Sequence, residues 1–346
     1  MSIFNLNTII CISILLIINL LLSKKKFLID NPNLSDHKDE HNKIIPLSGG
    51  IFFIISFLIL SILNNIKLDI FLFILPLLIL GIFADIKVNF SPKIRLLIQL
   101  FVIVLLVYFF NITIVSIDLN LFDNLLKIKL FNYVFVIFCI ITVLNGHNLM
   151  DGLNGFVSGN FLLILLSILA IIFSNDLIFN QNFNKKLEIL ILISFIFFIF
   201  NFFGRCFLGD NGIYVFSIVI SLLVIDFVYL SNGIVSPLIA ASFLWYPAYE
   251  NLYSILRRIK NRKVISKPDK LHLHILFKNF LRKKYGDKIN KDYLNSLSGI
   301  LMNILILPNF ILSIYWYNSS YKLLTLIIFQ IIFYMIFYKK LSKKIQ

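Results

Sequence analysis

Charge is what this chain has least of. Only 14% of its 346 residues are Asp, Glu, Lys or Arg, against 59% hydrophobic residues and a mean hydropathy of +0.92. A soluble domain carries charge on about a quarter of its positions, so the composition excludes one. Cysteine is scarce too. Cys11, Cys139 and Cys206 lie far apart, two of them inside apolar runs, which excludes a disulfide framework and a zinc spacing. The helical zinc-protease pattern is also missing, since the one close histidine pair, His272 and His274, is spaced i, i+2 with no intervening glutamate. The first apolar run, about residues 4–22, has no basic leader or small-residue cleavage site, and Lys24-Lys25-Lys26 follows it directly. It reads as an uncleaved first helix and not as a signal peptide. No internal repeat is evident, and the basic loops hold no nucleic-acid recognition module, so nucleic acid is not an expected partner.

What the chain does have is apolar runs near the roughly 20 residues that cross a bilayer. They predict an all-α, polytopic integral membrane protein with about eleven helices: 4–22, 46–63, 69–84, 94–111, 131–144, 155–174, 187–203, 213–230, 234–252, 297–315 and 321–338. Alternating loops fall into two sets. The set comprising 23–45, 85–93, 145–154, 204–212, 253–296 and 339–346, with Arg95 at a helix edge, carries 26 of the 32 Lys and Arg. The other set carries six, so the positive-inside rule places the first set in the cytoplasm. The net charge of +15 then faces mainly one side, where it attracts anionic lipid heads and anionic substrates. The whole chain, 1–346, reads as one transmembrane catalytic domain, with 253–296 as a basic cytoplasmic loop inside it.

Asp85, Asp151 and Asp210 each stand where an apolar run meets a loop of the cytoplasmic set. Carboxylates near the bilayer are expensive unless paired, so three on one face suggest a site for a cation and a phosphate ester. Pro46-Leu47-Ser48-Gly49-Gly50 opens a helix, where glycines let a backbone approach an anion, or simply pack tightly. Asp85 faces Ser91-Pro92-Lys93-Ile94-Arg95, with which it could equally form a plain ion pair. Asn145, Asn148 and Asp151 recur every three residues, and a continuing helical turn would stack them on one side. Their oxygens are hard ligands of the kind Mg²⁺ takes. Asn201, Arg205 and the turn Gly209-Asp210-Asn211-Gly212 follow as a metal or phosphate site, or an ordinary connector. The fifth loop carries Arg257, Arg258, Lys260, Arg262, Lys263, Lys267 and Lys270, then His272 and His274, which suits a pyrophosphate and a sugar.

In this order and placement the motifs resemble those of the polyprenyl-phosphate N-acetylhexosamine-1-phosphate transferases. This integral-membrane family includes phospho-N-acetylmuramoyl-pentapeptide transferase and the enzymes that initiate O-antigen and teichoic-acid lipid intermediates. The resemblance runs from Pro46 to His274. Its ending is closer to the O-antigen and capsule branch: Ser236-Pro237, Tyr246-Pro247, Glu250, Arg257-Arg258, Pro268-Asp269 and Leu271-His272-Leu273-His274. The resemblance implies transfer of a sugar 1-phosphate, GlcNAc-1-phosphate or a related N-acetylaminosugar, from a UDP-sugar to undecaprenyl phosphate. UMP leaves, and a lipid-linked cell-envelope glycan such as lipopolysaccharide or a wall polymer begins. It further implies Mg²⁺ held by Asn148 and Asp210, with Asp85 and Asp151 orienting or deprotonating the lipid phosphate. Arg257, Arg258, His272 and His274 would hold the nucleotide-sugar, with Asn145, Asn201, Lys93, Arg205, Gly49 and Gly50 as further substrate contacts. The implied location is the bacterial inner membrane, with a homodimer compatible. The chain departs from the family pattern twice: Ala84 precedes Asp85 where two acids are common, and Asn154 stands where many members have an aspartate. The competing readings are a secondary transporter and a catalytically weakened lipid- or nucleotide-binding relative. Transporters place carboxylates near the midplane, often in repeated halves, and here only Asp226 lies inside a helix.

Overall fold

The computed structural model describes residues 2–31, 43–68, 71–86, 90–264, 269, 271–286 and 289–345. Lys267, Pro268 and Lys270 of the fifth loop lie outside the described residues. The architecture is all-α. In chain order the helices are α1 (Ser2–Lys25), α2 (Gly49–Leu63), α3 (Phe71–Asp85), α4 (Pro92–Phe109), α5 (Asn120–Leu126), α6 (Lys129–Met150) and α7 (Phe156–Ser174). They continue as α8 (Gln181–Phe202), α9 (Gly209–Leu230), α10 (Leu238–Phe243), α11 (Trp245–Lys260), α12 (Leu273–Tyr285), α13 (Lys291–Tyr315) and α14 (Ser320–Ile345). Among the described residues the only sheet pairs β1 (Ile29–Asp30) with β2 (Ile45–Pro46) antiparallel, just before α2.

Seven helices, α1, α4, α6, α7, α9, α13 and α14, are long and apolar enough to cross a membrane. α2 and α3 are shorter and equally apolar, and α8 carries Lys185, Lys186 and Glu188 in its first turns. The chain is a multi-pass membrane protein. α1, α4 and α14 turn large apolar side chains outward, among them Leu20, Phe101 and Phe329. Such a surface is a liability in water and a necessity in lipid. α9 is the opposite case, packed against α2, α3, α6 and α7 and buried along most of its length.

Local chemistry sets the helix starts. Ser91 caps α4 by accepting from the Ile94 amide at 3.3 Å, with Pro92 at the first helical position. Asn180 does the same for α8 through the Phe183 amide at 2.8 Å, and Asn290 for α13 through the Asp292 amide.

Four expectations need correction. The run 234–252 is not one helix but two, α10 and α11, meeting at Leu244. Pro247 explains the break, because in a continuous helix its ring would collide with the Phe243 carbonyl and its missing N–H would leave that carbonyl bare. The loop expected from 145 is helical to Met150, and the loop expected to 212 is helical from Gly209. The loop 253–296 is largely helical as well, holding the second half of α11, all of α12 and the start of α13.

α11 is amphipathic in an unusual sense. Glu250, Ser254 and Arg258 share its buried face, while Leu252, Leu256 and Ile259 are exposed. An apolar outer face on a helix too short and polar to span is the signature of one lying at the membrane interface. Its polar face is turned inward, toward α12 and the motifs.

Candidate active site

The motif loops converge at one end of the bundle and form two linked clusters. The first is built around the N-terminus of α9. A helix start leaves its first amides without intrahelical partners and favours negative charge. Here Asp85, the last residue of α3, supplies it. Asp85 Oδ1 accepts from the Asp210 amide at 2.8 Å and Oδ2 from the Asn211 amide at 3.1 Å. The Asn211 side chain donates to the same Oδ2 and to the Leu47 carbonyl, while its Oδ1 accepts from the Gly50 amide at 2.7 Å. One fully buried asparagine thus ties α2, α3 and α9 together.

The glycines serve this junction. A Cβ on Gly50 would stand 2.4 Å from the Asn211 carbonyl oxygen, and one on Gly49 would stand 2.7 Å from that of Leu208. The two residues let α9 approach α2; they do not form an open cradle. Leu47 and Phe207 also bridge backbone to backbone beside them. The Asp210 side chain interacts electrostatically with Asp85 and pairs with Arg95 on α4, Oδ2 to a guanidinium nitrogen at 3.1 Å. Both side chains are about a quarter exposed, so the pair borders solvent. Among the described residues of this loop, Arg95 and not Lys93 is therefore the cation that meets a motif carboxylate, and Lys93 is exposed.

The second cluster surrounds the turn from α6 to α7. Because α6 runs to Met150, Asn145 and Asn148 lie on one helical face, and Asp151 is the C-cap, with an exposed side chain. Asn145 donates back to the Ile141 carbonyl at 2.9 Å. Gly155 takes a left-handed conformation, φ 75°, before α7 begins. Its amide donates to Asn201 Oδ1 at 2.8 Å, Ser158 donates to the same oxygen, and the Asn201 amide group reaches the Cys206 carbonyl. Asn201 is buried and its hydrogen bonds hold the α6–α7 turn to the α8–α9 turn, which joins the two clusters. Asn154 docks on α13 through Asn295 and Ser296, so the amide at that family position has a structural use.

α11 and α12 close over this turn. His272 and His274 are both buried, with rings stacked at 5.8 Å, and His274 lies against Phe156. The α11 residue Glu250 is fully buried; its Oε1 lies 2.9 Å from His272 Nδ1, and Oε2 accepts from the Tyr334 hydroxyl at 2.8 Å. Arg257 is committed within the fold: it donates to the Leu271 carbonyl, the Tyr338 hydroxyl and Asp269. Arg258 also faces Asp269, at 3.4 Å. Arg205 is exposed. Sequence reasoning missed Arg95, Asn211 and Glu250 as site residues. All three stood inside the motifs quoted for the resemblance without a role of their own, and for Glu250 its charge in so apolar a chain was the usable signal.

Partial burial would raise the Asp269 carboxyl, but the Arg257 guanidinium and the Leu271 amide outweigh it and hold the group below the usual carboxylate range. A carboxyl depressed on folding stabilises above its unfolded value, near 4, and that contribution is lost as pH falls through the folded value. The protection factors of the amides from Leu271 to Leu276, referred to the intrinsic exchange rate at each pH, are therefore expected to stay flat from pH 7 to about 4 and to fall below. Arg257→Ala should remove that acid-induced step; a step that survives the substitution would assign it elsewhere.

No three His, Cys, Asp or Glu side chains among the described residues form a metal-holding group. Any hard cation here would rest on one or two carboxylates plus amide, water and phosphate oxygens, which is how Mg²⁺ is commonly held.

Comparison with known proteins agrees with this arrangement. Residues 67–228, from the approach to α3 through most of α9, match the model of glycosyl transferase family 4. A probable undecaprenyl-phosphate N-acetylglucosaminyl 1-phosphate transferase of Bacillus subtilis is 26% identical over 259 residues, covering 71% of this chain and 68% of the relative. The undecaprenyl-phosphate alpha-N-acetylglucosaminyl 1-phosphate transferase of Thermotoga maritima is 27% identical over 261 residues, covering 74% of each chain. With both clusters drawn from the motifs in family order, this chain is similar over residues 67–228 to glycosyl transferase family 4 and, over most of its length, to undecaprenyl-phosphate N-acetylglucosaminyl 1-phosphate transferases.

Proposed function

We propose that this protein transfers N-acetylglucosamine 1-phosphate, or a closely related aminosugar 1-phosphate, from a UDP-sugar to undecaprenyl phosphate at the cytoplasmic face of a bacterial inner membrane. The observation that carries the reading is the solvent-bordering Asp210–Arg95 pair, set on the N-terminus of α9 at the motif-bearing end of the bundle. That end also holds most of the chain's cations, which favours both its cytoplasmic placement and the gathering of two anionic reactants.

In the reaction an oxygen of the lipid phosphate attacks the β-phosphorus of the donor. The bond from that phosphorus to the bridging oxygen breaks, and UMP departs with the electron pair. A phosphate oxygen is already ionised near neutral pH, so the residues need to position and neutralise more than to remove a proton. Asp210 and Asn148 offer the hard oxygens for Mg²⁺: one Asp210 oxygen is directed to Arg95, and the Asn148 side chain makes no hydrogen bond among the described residues. When bound, the metal would neutralise phosphate charge. Arg95 orients the Asp210 carboxylate, and Asp85 acts one step back, fixing the helix end that presents Asp210. Asp151 offers an exposed carboxylate to orient the acceptor, while Arg205 and Lys93 are exposed cations available to phosphate oxygens. His272 and His274 line the α12 side, toward the sugar and nucleotide.

A polyprenyl chain needs an apolar berth. A cavity of about 690 Å³ runs between α6, α9, α10, α11 and α14, lined by Phe135, Val224, Leu244 and Ile331 among others. It reaches Ala248 and Leu252, on the same helix that carries Glu250. A transporter reading is less favoured, because the motif carboxylates stand at helix ends on one side of the bundle.

The test is purified protein incubated with undecaprenyl phosphate, Mg²⁺ and a panel of UDP-sugars, with UMP release as the readout. UMP that requires both lipid and metal, with UDP-GlcNAc among the best donors, is the expected result. Folded protein that releases none from any donor, beside an active control enzyme, would end the proposal.

A further inference from the structure

The end of the bundle away from the motifs carries only six Lys and Arg, and three of them gather in one place. Lys67 and Lys186 line a cavity of about 130 Å³ between the segment joining α2 to α3, the start of α8 and the far half of α9. Lys185 is beside it, its ammonium donating to the Asn64 carbonyl at 3.3 Å. Asn182 and Asp226 complete the polar lining, and Lys186 interacts with Asp226. The rest of the wall is apolar, including Phe57, Ile74 and Leu222. Asp226 follows Asp210 by 16 residues on one helix, about 24 Å at 1.5 Å per residue, so this cavity is remote from the motifs.

Among the described residues, two lysines against one aspartate leave the lining with surplus positive charge. A carboxylate and three ammonium groups at the end of membrane spans are costly to desolvate, and Lys186–Asp226 accounts for only one of the cations. An apolar wall under a cationic rim, at headgroup level, matches an amphiphile with an anionic head. We propose that this cavity is a binding site for the phosphate headgroup of an anionic phospholipid in the leaflet opposite the motifs. Lys67 and Lys186 pair with the phosphodiester, Asn182 hydrogen-bonds it, and Asp226 limits affinity so that the lipid exchanges.

The charges make opposite predictions, which separates this site from a structural ion pair. In native mass spectrometry of the full chain, titrated with phosphatidylglycerol or phosphatidylcholine, phosphatidylglycerol should bind saturably and more tightly. Lys67→Ala, at an exposed position, should weaken phosphatidylglycerol by about fivefold, the worth of one lysine near an anionic surface. Asp226→Asn should tighten it by a similar factor. Equal binding of the two lipids, or no opposite response to the two substitutions, would overturn the proposal. Inorganic phosphate binding at this site while phosphatidylglycerol does not would overturn the lipid assignment in favour of a free anion. UMP release needs no part of this site, so the result is independent of the transferase reading.

Discussion

Asp210→Asn should lower UMP release by about 10²- to 10³-fold while leaving the protein folded, a loss of the size expected when a charge-stabilising group is removed. The substitution keeps the shape of the side chain, and its remaining oxygen can still accept from Arg95, so α4 and α9 stay joined. What disappears is the negative charge that a cation would need beside a substrate phosphate. Asp85→Asn is the informative contrast. Both Asp85 oxygens accept from α9, and an amide nitrogen in place of one would face an N–H donor. That variant should lose melting temperature as well as turnover. The comparison requires turnover and thermal unfolding in the same detergent, for both variants. Undiminished turnover in Asp210→Asn would take Asp210 out of the chemistry, and a folding defect equal to that of Asp85→Asn would make its role structural.

The division of labour between these two aspartates marks the limit of what the sequence can say. Hydropathy and the lopsided distribution of Lys and Arg were enough to find most of the long apolar helices and to place the motif loops at one end. They could not assign partners, because a carboxylate at a helix end reads the same whether it faces a substrate or another helix. Asp85 meets α9 only in three dimensions, 125 residues along the chain from the Asp210 amide it accepts. Gly49 and Gly50 carried the same ambiguity, resolved by the approach of Asn211 and Leu208. The polar run at Asn145 looked like a loop since polar residues rarely continue an apolar helix. It continues here because His147 finds Asn160 of α7 at 3.3 Å and packs edge-on to Phe161. α12 was legible in principle: Leu273, Leu276, Phe277, Phe280 and Leu281 repeat at helical spacing, with Lys278 and Arg282 between them. The charge of the surrounding loop obscured that period. Arg257 and Arg258 stood out as cations for a nucleotide, yet the loop they sit in uses both to hold Asp269.

Glu250 carries the second large effect, and it follows from burial. This carboxylate has no exposure and serves two donors on different elements, His272 before α12 and Tyr334 on α14. Burial alone would raise its carboxyl, but the hydrogen bond and charge of His272, with Tyr334, hold it below the usual range, so it is ionised at neutral pH. Removing one partner of a buried charged pair costs about 3–5 kcal/mol, because the survivors keep their desolvation penalty. Glu250→Ala should therefore lower the melting temperature by several degrees and loosen α12 from α11, with UMP release falling as His272 loses its fixed orientation. Glu250→Gln keeps the volume and one acceptor oxygen, so it should unfold later than the alanine variant. It still places an amide N–H against one of two donors. The readouts are thermal unfolding of wild type and both variants, and the Michaelis constant for the UDP-sugar in whichever variant remains folded. A rise confined to that constant in Glu250→Gln would tie the dyad to donor binding through His272. If Glu250→Ala instead melts with the wild type, the dyad does not support the fold, and the two histidines are held by the packing of α12 alone.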